Sequence, residues 1–273
     1  MVNISHSEAV AFWDCPMKWN LIYNKKISKT NIHLEFGKMA HKALETRKIP
    51  EEYLFPELKE AFNIKSWNNY FTPIFSELDN FLKDYTILNR ELYLKFGQVK
   101  GVIDLICKNN NTGEILLLDY KFKAIPNSYL DIYLDQQLSL YAYLYKGNFS
   151  VSYDNIKVGY ISIPKAEYSK PELLRNGKLS KNKSQLTTKE LYLQAIKEYG
   201  LDIKDYGDIL KDIEDKKLLN IVISDVDENR VLKIIMNIAL TISLINKGII
   251  LENFSAEKCK NCDYLKECKY DSY

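Results

Sequence analysis

The stretch from Gly101 to Phe122 restricts what this chain can fold into more than any other. Gly101-Val-Ile-Asp-Leu-Ile-Cys-Lys108 and Glu114-Ile-Leu-Leu-Leu-Asp-Tyr-Lys-Phe122 are β-rich runs joined by Asn109-Asn-Asn-Thr-Gly113. Two such runs around an Asn/Gly cluster predict an antiparallel hairpin. With the turn centred between Asn111 and Thr112, Asp104 falls opposite Asp119, on one face of the ribbon. Lys121, two residues further on, points the same way. On a solvated hairpin edge these charges would need no explanation. The continuous Leu116-Leu117-Leu118 run, however, predicts a strand covered on both faces. There, two facing carboxylates repel and lose hydration. A divalent cation removes both difficulties and can activate a water. The arrangement depends on an unbulged register, because a one-residue slip sends one acid to the other face.

Ile103-Asp104, Asp119-Tyr120-Lys121 and Gln137-Leu-Ser-Leu-Tyr141, in that order, resemble the PD-(D/E)XK nuclease superfamily, in particular its RecB-like branch. Gly37-Lys-Met-Ala-His41 is similar to the Gly-x-x-x-His helix of that branch. Val-Ile precedes Asp104 where the superfamily name has Pro, and Asp119 stands where it allows Glu. The resemblance implies an α/β fold with a restriction-endonuclease-like core, a central mixed sheet flanked by helices. It implies Mg²⁺ or Mn²⁺ held by His41, Asp104, Asp119 and the backbone carbonyl of Tyr120. Lys121 would position water and stabilise developing charge, while Gln137 and Tyr141 orient the lysine and the DNA backbone. The implied catalytic set is Asp104, Asp119, Lys121, Gln137 and Tyr141. Without the resemblance, Tyr133, Gln137 and Tyr141 also read as a packing stripe on one helical face. His41 equally reads as a surface histidine paired with Glu45. Glu91 can reach the metal from a neighbouring strand, but a surface carboxylate fits as well, and it stays outside the set.

Five cysteines is an odd number, and no signal peptide is read, so a disulfide framework is not expected. Cys259, Cys262 and Cys268 lie within ten residues, and a four-coordinate soft-metal site needs one more thiolate. Cys15 is the best candidate. One N-terminal cysteine followed by Cys-x2-Cys-x5-Cys resembles the iron–sulfur staple of RecB-like nucleases, which include AddAB-type and CRISPR-associated exonucleases. A 4Fe-4S cluster on Cys15, Cys259, Cys262 and Cys268 is implied; spacing alone leaves structural Zn²⁺ open. Such a staple joins the chain ends, so metal loss should destabilise the fold. Cys107 lies three residues from Asp104, faces away from it on a strand, and reads as packing.

At 273 residues, with 46% hydrophobic and 27% charged residues, the chain can bury a substantial core. The expectation is one RecB-like nuclease domain over residues 1–273. Residues 1–34 and 249–273 form the cluster-binding ends, and 164–219 a helical insertion. Helices are expected from Ser5 to Cys15, from Gly37 to Arg47, within 57–88, from about Tyr129 to Lys146 closed by Gly147, and from Asp225 to Lys247. Strands are expected at Glu91–Phe96, the hairpin, and Ile156–Ile163. Val231–Ile245 is too short, and too polar at Lys233 and Asn237, to span a bilayer. A cytoplasmic protein without membrane contact is expected.

The formal charge is only +2, so any DNA-binding surface must be a local patch. Lys165, Lys170, Arg175, Lys178, Lys181 and Lys183, against Glu167 and Glu172, form a basic stretch. It either grips phosphates or is a solvated insertion. No Gly-x4-Gly-Lys-Ser/Thr loop occurs, so ATP-driven unwinding belongs to a partner. The function expected is a metal-dependent DNA exonuclease acting without sequence preference on single strands or ends. Its context would be repair, recombination or CRISPR adaptation, with a helicase, recombination or CRISPR-adaptation partner. The alternative is a non-catalytic DNA-binding or scaffold subunit of a larger complex.

Overall fold

A capping box opens the first helix, α1 (His6–Asp14): the Ser5 side chain accepts the Glu8 N–H, and the Glu8 carboxylate accepts the Ser5 N–H. Cys15 separates it from α2 (Pro16–Trp19), whose first residue is a proline with no N–H to lose. The structure, a computed structural model, describes residues 2–123, 135–182, 186–213, 217–250 and 256–270. Helix α3 (Ile32–Thr46) begins earlier than the expected Gly37, because Asn31 caps the Leu34 N–H. The aromatic region then forms α4 (Pro56–Ala61) and α5 (Trp67–Leu82). Helix was expected as far as residue 88, but β1 (Tyr85–Phe96) already starts at Tyr85. Its aromatic and β-branched opening residues, Tyr85, Thr86 and Ile87, pair with Asn109, Lys108 and Cys107.

Strands β2 (Val99–Asn109) and β3 (Ile115–Phe122) form the expected hairpin. Its register, from Leu105 opposite Leu118 to Lys108 opposite Ile115, is the one the Asn/Gly turn predicts. Helix α6 (Gln136–Phe149) follows, then β4 (Ile156–Ile163), α7 (Lys189–Glu198), α8 (Gly207–Asp212) and β5 (Asn220–Asp225). Strand β5 was not expected from the sequence. Helices α9 (Glu228–Asn246), α10 (Ala256–Lys260) and α11 (Leu265–Tyr270) complete the order.

The sheet runs β1-β2-β3-β4-β5, with β3 and β4 parallel and the other neighbours antiparallel. One layer of core joins Ile106, Leu117 and Tyr160 to Leu138, Tyr141, Ile234 and Ile238 of α6 and α9. The other joins Leu105, Leu116 and Leu118 to Phe36, Leu44, Trp67 and Leu78 of α3 and α5. Every residue of β3 from Ile115 to Tyr120 is therefore buried, as its uninterrupted leucines require. Cys107 packs in the second layer, and burial pushes its thiol up to about 12.

Gly147 does not end α6, which continues to Phe149 and closes at Ser150 in the left-handed region. A Cβ at Gly147 would lie 2.3 Å from the Phe96 ring, so glycine there lets the helix approach β1 closely. The expected start near Tyr129, and Tyr133, lie outside the described residues. Within 164–219, Leu179, Tyr192, Ile196, Tyr206 and Ile209 form a small core of their own. Lys170 pairs with Glu198, and Lys181 donates to the Asp205 carbonyl, so two cations of the basic stretch are tied down inside this segment. Lys183 lies outside the described residues.

The first and last helical segments are tied together. Lys258, beside Cys259, donates to Asp14, beside Cys15, at 2.7 Å. Lys29 pairs with Glu267 at 2.8 Å and donates to the Asp263 carbonyl. Among the described residues, no helix is long and apolar enough to cross a membrane.

Candidate active site

Strand alternation turns Asp119 and Lys121 toward α6, where Asp135 caps the helix by accepting the Gln137 and Leu138 N–H groups. Gln137 and Tyr141, one turn apart, face the strand together. Gln137 Nε2 donates to Asp119 Oδ1 at 2.7 Å and to the Tyr141 hydroxyl at 2.6 Å. Tyr141 donates to Asp119 Oδ1 at 3.0 Å. Lys121 Nζ donates to Gln137 Oε1 at 2.7 Å and lies 2.7 Å from Asp119 Oδ2. A carboxylate only 2% exposed is thus held by an ammonium, an amide and a phenol. The lysine is fixed between its carboxylate and the amide, with its ammonium also over the Tyr160 ring at 5.1 Å. Burial, then the charge on Asp119, keeps the Tyr141 hydroxyl far above its usual pKa, so it remains a donor.

The second half of the site forms where the sheet opens. The β2–β3 ladder stops at Leu105 and Leu118. Asp104, next in line toward Asp119, directs Oδ2 to the Tyr120 N–H at 2.7 Å. On the other side of β2, Arg90 pairs with Leu105 and Leu92 with Ile103, which sets Glu91 across from Asp104. Glu91 sits at φ 48, a left-handed conformation uncommon for a non-glycine residue. From α3, His41 Nδ1 lies 3.4 Å from Asp104 Oδ2 and 3.5 Å from Glu91 Oε1. Ligand atoms of His41, Glu91 and Asp104 all lie within 4.8 Å of one another. Among the described residues this is the one such group of three or more His, Cys, Asp or Glu. Asp119 is not part of it.

The electrostatics bind the two halves together. Burial, reinforced by the neighbouring Asp119 charge, raises the Asp104 carboxyl well above its usual range, against the opposing influence of His41 and the Tyr120 N–H. Burial disfavours the His41 imidazolium, but Glu91, Asp104 and Asp119 together outweigh it and raise that pKa. Crowded carboxylates of this kind suit a hard divalent cation, which takes oxygen ligands readily. Glu91 Oε1 is buried and, apart from the His41 contact, has no hydrogen-bond partner in the structure. The donor set therefore fits a hard divalent cation.

Of the site residues expected from the sequence, Asp104, Asp119, Lys121, Gln137, Tyr141, His41 and the backbone of Tyr120 lie in this region, whereas the four cysteines lie elsewhere. His41 does not pair with Glu45, which is taken by Lys42. Glu91, left outside the expected set, belongs to the acidic group. Its signal lay in Phe96-Gly97-Gln98-Val99, a two-residue hairpin turn whose register sets Glu91 opposite Asp104. His6 was also missed. This first residue of α1 has its pKa lowered by burial and lies within electrostatic reach of Asp135, Lys121 and Asp119. Cys15, Cys259, Cys262 and Cys268 are all partly buried. The segments that carry them touch, and among the described residues no three of these cysteines are gathered as a metal-holding group.

The sequence profile of the PD-(D/E)XK nuclease superfamily matches residues 3–269, and the chain belongs to that superfamily. No curated protein matches the sequence. Among solved structures, a crystal structure described as a "Putative exonuclease" from Eubacterium rectale aligns with a TM-score of 0.51 at 12% identity, over 98% of this chain and 88% of that one. That similarity supports the fold, a five-stranded mixed sheet with flanking helices. The crystal structure of SSO0001 aligns at a TM-score of 0.38 and 14% identity, over 98% of this chain and 86% of that one.

Proposed function

We propose that this protein is a divalent-metal-dependent DNA exonuclease of the RecB-like branch, hydrolysing phosphodiester bonds without sequence preference. The observation that carries the reading is a row of three carboxylates, Glu91, Asp104 and Asp119, at facing positions on β1, β2 and β3. A histidine closes one end and a carboxylate-tethered lysine the other. A structural sheet would gain nothing from three adjacent buried or half-buried acids.

His41, Glu91 and Asp104 would hold the cation, with Asp119 and the Tyr120 carbonyl as the adjoining oxygen donors. When bound, Mg²⁺ or Mn²⁺ supplies Lewis-acid stabilisation of the phosphate and lowers the pKa of water. Lys121 donates toward the phosphate oxygens and offsets the negative charge that builds during attack. Gln137 anchors it through Oε1, so the ammonium is aimed before substrate arrives. Tyr141 and the Gln137 amide N–H groups hold Asp119 Oδ1, leaving Oδ2 for Lys121 and the metal side. The Tyr120 N–H fixes Asp104 in the same way.

The test is cleavage of end-labelled single- and double-stranded DNA in Mg²⁺, Mn²⁺ or EDTA, with Asp119→Ala as control. Metal-dependent shortening from an end, lost in the variant, is expected. Tight DNA binding without cleavage in any metal would instead assign a non-catalytic subunit.

Cys15, Cys259, Cys262 and Cys268 are proposed to hold a 4Fe-4S cluster that staples residues 1–34 to 249–273 within a single nuclease domain. Four partly buried cysteines on two segments tied by Asp14–Lys258 support this reading. A helicase or recombination partner, or one from CRISPR adaptation, would supply DNA ends or single strands.

A further inference from the structure

Helix α3 carries more than His41 toward the site. His33, Gly37 and His41 recur at four-residue spacing and share one face of the helix. The rings along this face form a chain of contacts. His41 lies 5.5 Å from Phe122, Phe122 lies 5.8 Å from Phe36, Phe36 lies 4.6 Å from Phe62, and Phe62 lies 5.3 Å from His33. Phe36 is the buried floor, whereas Phe62 and Phe122 stay partly exposed. At the far end, Lys165 Nζ sits 5.7 Å from the Phe62 ring centre and 3.4 Å from His33 Nδ1. Among the described residues, no carboxylate pairs with Lys165, although the side chain is partly buried and burial lowers its pKa. In the middle, a Cβ added at Gly37 would meet nothing within 4 Å, so the helix backbone there borders open space.

These features lie at the carboxyl ends of the parallel pair β3 and β4, beside the acidic group. Lys121 pairs with Ser162 in that ladder, the Lys123 backbone N–H donates to the Ile163 carbonyl, and Lys165 lies two residues beyond the end of β4. A partly desolvated cation with no acidic partner is completed by an incoming anion. Partly exposed rings beside it accept the flat faces of unpaired bases. From His33 to His41 the helix spans about 12 Å, a few nucleotides of extended strand.

We propose that this face of α3 is a single-stranded DNA track. Lys165 and His33 hold a backbone phosphate, Phe62 and Phe122 stack bases, and the strand passes over Gly37 to the acidic group. Duplex DNA keeps its bases paired and cannot offer them to the rings, so the track selects single strands. The assignment rests on the nuclease reading for its direction of travel, but its binding can be measured without chemistry.

The experiment compares wild type with Lys165→Ala, Phe62→Leu and Gly37→Leu, each checked for an unchanged circular dichroism spectrum. Binding of a fluorescein-labelled single-stranded oligonucleotide is followed in EDTA across a salt series. Hydrolysis of that oligonucleotide and of thymidine 5′-(p-nitrophenyl phosphate), which reaches only the acidic centre, is followed in Mn²⁺. Lys165→Ala should reduce the salt slope of binding by about one. Phe62→Leu should weaken binding by about tenfold, in the range of one lost stacking contact. All three should raise KM for the oligonucleotide and leave hydrolysis of the small ester unchanged. Unaltered oligonucleotide binding in all three, or duplex bound as tightly as single strand, would overturn the track. Failure of wild type to hydrolyse either substrate would overturn the nuclease reading instead, and the EDTA binding series would still decide the track.

Discussion

Lys121 and Asp104 carry opposite halves of the chemistry, and their substitutions should separate. Lys121→Ala removes the ammonium that Asp119 and Gln137 aim, while leaving the His41–Glu91–Asp104 group in place. Turnover should fall by about 10² to 10³, as for loss of one electrostatic donor, with the metal concentration needed for half-activity unchanged. Asp104 behaves differently because its carboxyl is held well above the usual range, by burial first and by Asp119 second. A raised carboxyl binds its proton more tightly when folded than when unfolded. The stability it confers is present at low pH and is lost as pH rises from the unfolded value through the folded one. In the metal-free protein at neutral pH, Asp104→Asn should therefore raise Tm, since the amide keeps the Tyr120 contact without the repulsion. The same variant should lose the Tm gain that Mg²⁺ gives wild type. A lower Tm in EDTA would show that the ionised carboxylate is not a burden on the fold.

Among the secondary-structure elements, two glycines in regular structure should respond in opposite ways to the same substitution. Gly37→Ala fills open space in α3 and should stabilise by about 0.5–1 kcal/mol, the helix-interior difference between the two residues. Gly159→Ala would place a Cβ 2.6 Å from the Val222 carbonyl of the adjacent strand, and should destabilise by about 1–3 kcal/mol. Denaturant unfolding of both variants checks the pair. The same elements show what was readable in advance. The β2–β3 register was legible because a short Asn/Gly turn fixes it locally, and it puts Asp104 and Asp119 at adjoining positions just past the Leu105–Leu118 pair. β1 was cut short because its first residues follow an aromatic helix without a break, and only pairing with β2 decides their state. β5 lacked any marker, since Asn220–Asp225 is brief and its antiparallel partner β4 is distant in sequence. Gly147 was misread as a stop because the reason for it, the Phe96 ring, belongs to another element. Glu91 was legible only by carrying the register across a second hairpin.

Across the whole molecule, the acidic site depends on a sheet fed from both termini, with α1 against α6 and the C-terminal helices tied back to Asp14 and Lys29. Anaerobically purified protein should contain iron and acid-labile sulfide. Cys15→Ser and Cys262→Ser should lose both and lower Tm, since the staple acts on the fold. Stoichiometric zinc in colourless protein would replace the cluster with a zinc site. The central claim concerns where the catalytic cation sits, and crystals soaked in Mn²⁺ test it most directly. An anomalous peak within bonding distance of His41, Glu91 and Asp104, beside Asp119, is the expected result. Mn²⁺-dependent cleavage in solution together with a peak elsewhere, or none at these side chains, would contradict the account.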